Sequence, residues 1–225
     1  MKKPSLYYSL LAGLLVLTTA SCGKKDVDKI GEAQACLDTA NKDTVSVCMD
    51  KVAGMESTQS YVIRCAATFI ADEFDTLNKI NSAYTNMNGS GTGDTSASLL
   101  AMNALTFSTA AKAEINFNYC AKSGSKGLIM LSGIAKMATS IKALSSCTSV
   151  DAACISSAVT SGGANEAVGA AAAAAYASSC TGTQTNTQFC TQFSTAATAA
   201  GGTSNSACLG QQLLAQYNGT PTTCP

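Results

Sequence analysis

The chain has 225 residues, no histidine and no tryptophan, and its 14 basic and 14 acidic side chains cancel to a formal net charge of zero. That balance lacks the basic surface on which nucleic-acid recognition depends. The missing imidazole removes the commonest general base, the Ser-His and Cys-His arrangements and the usual zinc ligand, so any catalysis would rest on carboxylates, lysine or tyrosine.

Residues 1 to 21 read as a processing segment. Lys2 and Lys3 supply a positive start, "LLAGLLVL" at 10 to 17 an apolar run, and Thr18, Thr19, Ala20 and Ser21 a small-residue end. An apolar run of about a dozen residues is too short to span a bilayer, which takes roughly 20. The spacing therefore predicts a signal peptide over 1–21. The next most apolar stretch, 128 to 144, is interrupted by Lys136 and Lys142 and suits a soluble helix better.

Signal peptidase could cut after Ala20, with Thr18 and Ala20 in the small-residue positions. The alternative rests on "TASC", residues 19 to 22, which resembles the bacterial lipobox, with Thr19 where leucine is usual and Leu17 the nearest leucine. In this relaxed form it looks like the boxes of spirochaete lipoproteins. The resemblance implies that Cys22 becomes the acylated N-terminus, carrying palmitate-type chains, and that the protein is anchored in a bacterial cell envelope. Gly23 replaces the aspartate that retains some lipoproteins in the inner membrane, which implies the outer membrane. Two or three acyl chains would anchor the chain stably, each buried CH2 adding about 0.8 kcal/mol. The predicted organisation is then a membrane-proximal anchor and tether over 22–35 and a helical, disulfide-rich domain over 36–225, with a sub-boundary near 145–150.

Cysteine parity points the same way. Setting Cys22 aside leaves Cys36, Cys48, Cys65, Cys120, Cys147, Cys154, Cys180, Cys190, Cys208 and Cys224. Ten can all pair, as an exported protein requires.

Downstream the apolar period is helical, which predicts an all-α fold: a disulfide-stapled bundle built from helical hairpins. Val62, Ala66, Ile70, Phe74, Leu77, Ile80, Tyr84 and Met87 form one stripe, and Leu100, Ala104, Phe107, Ala111, Ile115 and Tyr119 a second. "NGSGTGD" (88 to 94) connects them, with Asp94 or Thr95 as the predicted cap of the second helix. Leu128, Leu131, Ile134, Ala135, Ala138 and Ile141 mark a further helix. "GAAAAAAYA" (169 to 177) has the strongest helix propensity of the chain and a methyl surface that would admit a close neighbour.

Three short segments predict staples across hairpin tops: Cys36–Cys48, Cys147–Cys154 and Cys180–Cys190. A continuous helix would hold Cys147 and Cys154 about 10.5 Å apart, at 1.5 Å per residue, whereas a disulfide needs Cα atoms within about 7 Å. The chain must therefore turn between them, with Ser149 or Asp151 capping the helix beyond the turn. Cys65 and Cys120 lie at nearly matching distances from Gly91 in the hairpin register, and Cys208–Cys224 remains, with Pro221 turning the tail back. Close Cys-x2-4-Cys pairs of the zinc-site kind are missing from the sequence, so no metal and no cofactor is expected.

Other chemical candidates are thin. "ADEFD" (71 to 75) clusters Asp72, Glu73 and Asp75, which could seat calcium or act as an acid/base pair but reads better as a solvated helix face. "GSGTGD" and "GSKG" lack the strand and the GK[ST] of a phosphate loop; the second reads as a helix stop and restart. Lys122, Lys126, Lys136 and Lys142 are expected to face the acid-rich segment 26 to 94, or else an acidic partner. From Ala152 to Pro225 the only charge is Glu166.

The expected function is accordingly that of a lipid-anchored envelope component acting by binding or as surface structure, with no catalytic residues. Its partners would be the membrane, through the acyl chains, and an envelope or extracellular protein, and no nucleic acid. The rivals are a secreted small-ligand carrier with an apolar pocket between helices and a carboxylate hydrolase with two acids facing one cleft.

Overall fold

The computed structural model describes residues 22–74, 104–144, 146–180, 187–218 and 223–224. These are all-α, with nine helices among the described residues: α1 (Cys22–Leu37), α2 (Val45–Lys51), α3 (Thr58–Ala71), α4 (Ala110–Ser123), α5 (Lys126–Leu144), α6 (Ala152–Ser161), α7 (Asn165–Ser179), α8 (Thr187–Ala199) and α9 (Ser206–Asn218). The predicted connection 88–94 and Pro221 lie outside the described residues, as does the first stripe from Leu77 onward.

Local chemistry sets many of the ends. Ser57 caps α3 by accepting the Ser60 N–H, Thr109 caps α4 through the Lys112 N–H, and Asp151 caps α6 through the Cys154 N–H. Helices α4 and α6 stop at Gly124 and Gly162, whose φ of 66° and 68° is costly for any residue with a Cβ. "GSKG" is thus the stop and restart between α4 and α5.

Helix α5 lies at the centre, packed between α4 and α7, and α7 in turn packs on α9. By length and composition α5 could cross a bilayer, but Ile134, Ala135, Met137, Ala138 and Ile141 are buried in the main core with Phe69, Leu105, Ile155, Phe193, Leu209 and Leu214. Phe69, Phe74 and Phe107 form an aromatic cluster with centroids 4.8 to 5.5 Å apart. Tyr176 stacks on Phe193 at 4.1 Å.

The alanine-rich α7 does admit close neighbours. A Cβ on Gly133 of α5 would lie 2.8 Å from Ala175 Cβ. On the other face of α7, a Cβ on Gly169 would lie 1.8 Å from Ser206 O, and one on Gly210 the same distance from Asn165 O. Backbone meets backbone here.

A smaller cluster of Ala33, Val52 and Ile63, flanked by Ile30, Leu37 and Met55, joins α1, α2 and α3. Residues 22–35, predicted as a tether, are therefore part of a 16-residue helix whose second half is packed into the domain.

Two stripes need correction. In α3 the fully buried residues include Tyr61, Ile63, Cys65, Ala67 and Phe69, whereas Val62, Ala66 and Ile70 are only half-buried. The helix is covered on two sides, by the small cluster and by α4, so a single stripe does not describe it. Helix α4 begins at Ala110, capped by Thr109, so the second stripe is not one continuous helix; Asp94, Thr95 and Leu100 lie outside the described residues. Ala113, Asn116 and Cys120 face inward, while Ala111 is exposed and Ile115 is 49% exposed. Residues 105–109 are held off a helical path because Leu105 and Phe107 are buried and the Phe107 N–H donates to Thr139 Oγ1 on α5 at 2.8 Å.

Candidate functional site

Ten cysteines stand in five bridges: Cys36–Cys48, Cys65–Cys120, Cys147–Cys154, Cys180–Cys190 and Cys208–Cys224. Their Cα atoms are 4.9 to 5.7 Å apart, inside disulfide range. Cys36–Cys48 closes the α1–α2 turn, Cys147–Cys154 the α5–α6 turn, and Cys180–Cys190 joins the end of α7 to α8. Cys65–Cys120 is the long-range bond, tying α3 to α4 with both sulfurs fully buried. Beside it Asn116 Nδ2 donates to Cys65 O at 3.1 Å and to Thr68 Oγ1 at 2.8 Å. The eleventh cysteine, Cys22, heads α1, and residues 25–29 immediately behind it are all exposed.

The acidic cluster differs from its predicted role as a solvated face. Asp72 lies just past the end of α3, and its side chain is only 4% exposed. Its carboxylate accepts from the Ser108 N–H, from Ser108 Oγ and from Lys112 Nζ, the last two at 2.6 Å. Burial pushes its pKa up, but the bonds from Lys112 and Ser108 outweigh that and hold it below its ordinary value. Glu73 has φ 66°, in the left-handed region, and pairs with Lys42. Asp75 lies outside the described residues. Asp72 is thus a clasp joining the end of α3 to the start of α4.

A group with a depressed folded-state pKa stabilises the fold above its unfolded pKa, about 3.9, and loses that contribution as pH falls through the folded value. Asp72→Asn is therefore expected to cost about 1 to 2 kcal/mol near neutral pH. The gap from the parent should close at acid pH, below the folded-state pKa. Urea unfolding from pH 7 downwards checks this, and a cost independent of pH would contradict it.

Of the predicted lysines, Lys122 and Lys136 find partners inside the chain, but not as a block facing 26–94. Lys136 pairs with Glu114 and lies over the Phe117 ring, with 4.6 Å from Nζ to the centroid. Lys122 sits 5.1 Å from the Tyr61 centroid. Lys112, outside the predicted set, crosses to the acidic segment to meet Asp72.

Sequence reasoning missed a second polar hub. Arg64, the single arginine of the chain, donates to Val52 O at 2.6 Å and Met55 O at 2.8 Å, at the end of α2. Its guanidinium carbon lies 5.1 Å from the Tyr61 centroid and 5.8 Å from that of Tyr119. The available signal was its singularity among thirteen lysines.

A cavity of about 340 Å3 opens between residues 107–109 and the end of α5, lined by Phe107, Ser108, Thr109, Thr139, Lys142 and Cys147 among others. Phe107 and Thr139 form its buried floor, and the rim is polar, unlike the apolar pocket a carrier would need. Among the described residues no three or more Cys, Asp or Glu side chains converge as metal ligands. No family model, no curated protein and no solved structure matches the chain.

Proposed function

We propose that the protein is a lipid-anchored envelope lipoprotein, acylated at Cys22 and held at the outer membrane, where its helical domain serves as a binding or structural surface component without catalysis. The observation that carries this reading is parity: ten cysteines are spent in five bridges, and the eleventh follows an apolar run and a small-residue box. An odd thiol left after full pairing needs another role, and acylation supplies one. Further support comes from α1, which begins at Cys22 and enters the packed domain without an intervening loop. An acyl anchor on Cys22 would thus be joined to the domain by helix alone.

The test is partitioning in a cloud-point detergent. The parent chain, expressed in a bacterium that processes lipoproteins, is expected in the detergent phase, with an N-terminal fragment at Cys22 heavier by two or three acyl chains. Cys22→Ala is expected in the aqueous phase, with its helicity unchanged. Both forms staying aqueous, or an N-terminus at Ser21 with a titratable thiol beside it, would refute the reading.

A further inference from the structure

The bridge at the α5–α6 turn combines a cavity, a neighbouring positive charge and the shortest loop of the five. Only in Cys65–Cys120 are both residues fully buried; Cys36, Cys147, Cys180, Cys190 and Cys224 are each half-buried. Among these, Cys147 lines the cavity between residues 107–109 and the end of α5. Lys142 lines the same cavity, and no carboxylate among the described residues pairs with it. Cys180 and Cys190 are also half-buried, but no basic residue follows Lys142 anywhere in the chain. The bridge from Cys147 to Cys154 spans seven residues, against 10, 12, 16 and 55 for the others. It therefore restricts the unfolded chain least, and the domain can best spare it.

We infer that Cys147–Cys154 is the exchangeable disulfide of this protein, and that the cavity beside it admits small anionic thiols to Cys147 Sγ. The thiolate of such a molecule attacks Cys147 Sγ in line with the S–S bond. A mixed disulfide forms on Cys147, and Cys154 departs as a thiolate, taking the bonding electron pair and then a proton from water. A second equivalent of thiol attacks the mixed disulfide at the small molecule's sulfur, frees Cys147 and leaves the small molecule as its own disulfide. Cys154 can instead return to Cys147 and expel the small thiol unchanged. Lys142 contributes by raising the local concentration of the incoming anion and easing the build-up of negative charge at sulfur. Cys154, 3% exposed, is the poorer target. The inference is independent of how the N-terminus is anchored.

The experiment exposes the full-length protein to limiting glutathione at pH 8, alkylates with iodoacetamide at timed intervals and maps each cysteine by mass spectrometry. Glutathione is expected on Cys147 and alkylation on Cys154, about tenfold faster than at any other pair, with helicity by circular dichroism unchanged. Lys142→Gln is expected to slow glutathione several-fold and 2-mercaptoethanol, which carries no charge beyond its reacting thiolate, distinctly less. Reaction first at Cys180–Cys190 or any other bridge, glutathione on Cys154, or all ten cysteines opening together would overturn the assignment. So would a Lys142→Gln form that treats the two thiols alike.

Discussion

Gly210→Ala is expected to destabilise the protein by more than about 4 kcal/mol, the range in which a single substitution is diagnostic of a specific clash. The Cβ would fall 1.8 Å from Asn165 O and 2.9 Å from Gly169 N. Neither atom is the end of a flexible side chain. Both belong to the first turns of α7, which also carries Ala171, Ala172 and Ala175 into the core. Relief requires α7 and α9 to separate, which would open voids around Val168, Leu209 and Leu213. Gly169→Ala meets Ser206 O at the same 1.8 Å and is expected to behave alike. Gly31→Ala is the control: it sits inside α1 with nothing within 4 Å of the new methyl group, and should stabilise by about 0.5 to 1 kcal/mol. Thermal unfolding separates the cases, since several kcal/mol in a chain of this size lowers Tm by about 10 °C or more. A Gly210→Ala protein within 2 °C of the parent would mean that α7 and α9 do not approach this closely.

What the sequence made legible was what short range determines. A seven-residue spacing cannot be bridged along a helix, so "CTSVDAAC" had to turn, and Asp151 was one of two residues able to cap the helix after it. Cys65 and Cys120 match by counting from a connection that lies outside the described residues; the pairing itself follows from the packing of α3 on α4. The close contacts of α7 were foreshadowed by its alanines, though which glycines face it depends on the placing of α5 and α9. The misread features depend on partners far along the chain. Asp72 sits in "ADEFD", which looks like a solvated run, and its donors Ser108 and Lys112 lie 36 and 40 residues away. The second stripe reads as one helix because Phe107 fits its period, yet Phe107 is claimed by the core outside any long helix. Periodicity reports that a residue is buried, but not which element buries it. Cys22 is a different case, since its proposed role rests on the residues before it and on the pairing of the other ten.

Arg64→Lys is expected to cost about 3 kcal/mol, although the charge is kept. One guanidinium nitrogen serves both Val52 O and Met55 O while the planar group lies within reach of Tyr61 and Tyr119. An ammonium has neither the planarity nor the reach for all four contacts. Val52 and Met55 belong to the small cluster that holds α1 and α2 on α3, and their carbonyls at the end of α2 would lose a charge-assisted donor. The damage should therefore be local. Amide exchange is expected to speed up across α1 and α2, while α5, α7 and α9, which share the other core, keep their protection. Cys36–Cys48 would hold α1 and α2 to each other even when both come away from α3. Uniform loss of protection across all helices would show instead that the two cores unfold as one. The distinction bears on the proposed anchoring, because α1 is the only covalent path from Cys22 into the domain. If the small cluster yields on its own, Arg64 sets how firmly the domain is seated on its membrane attachment, and the Arg64→Lys form should remain in the detergent phase with its main core intact.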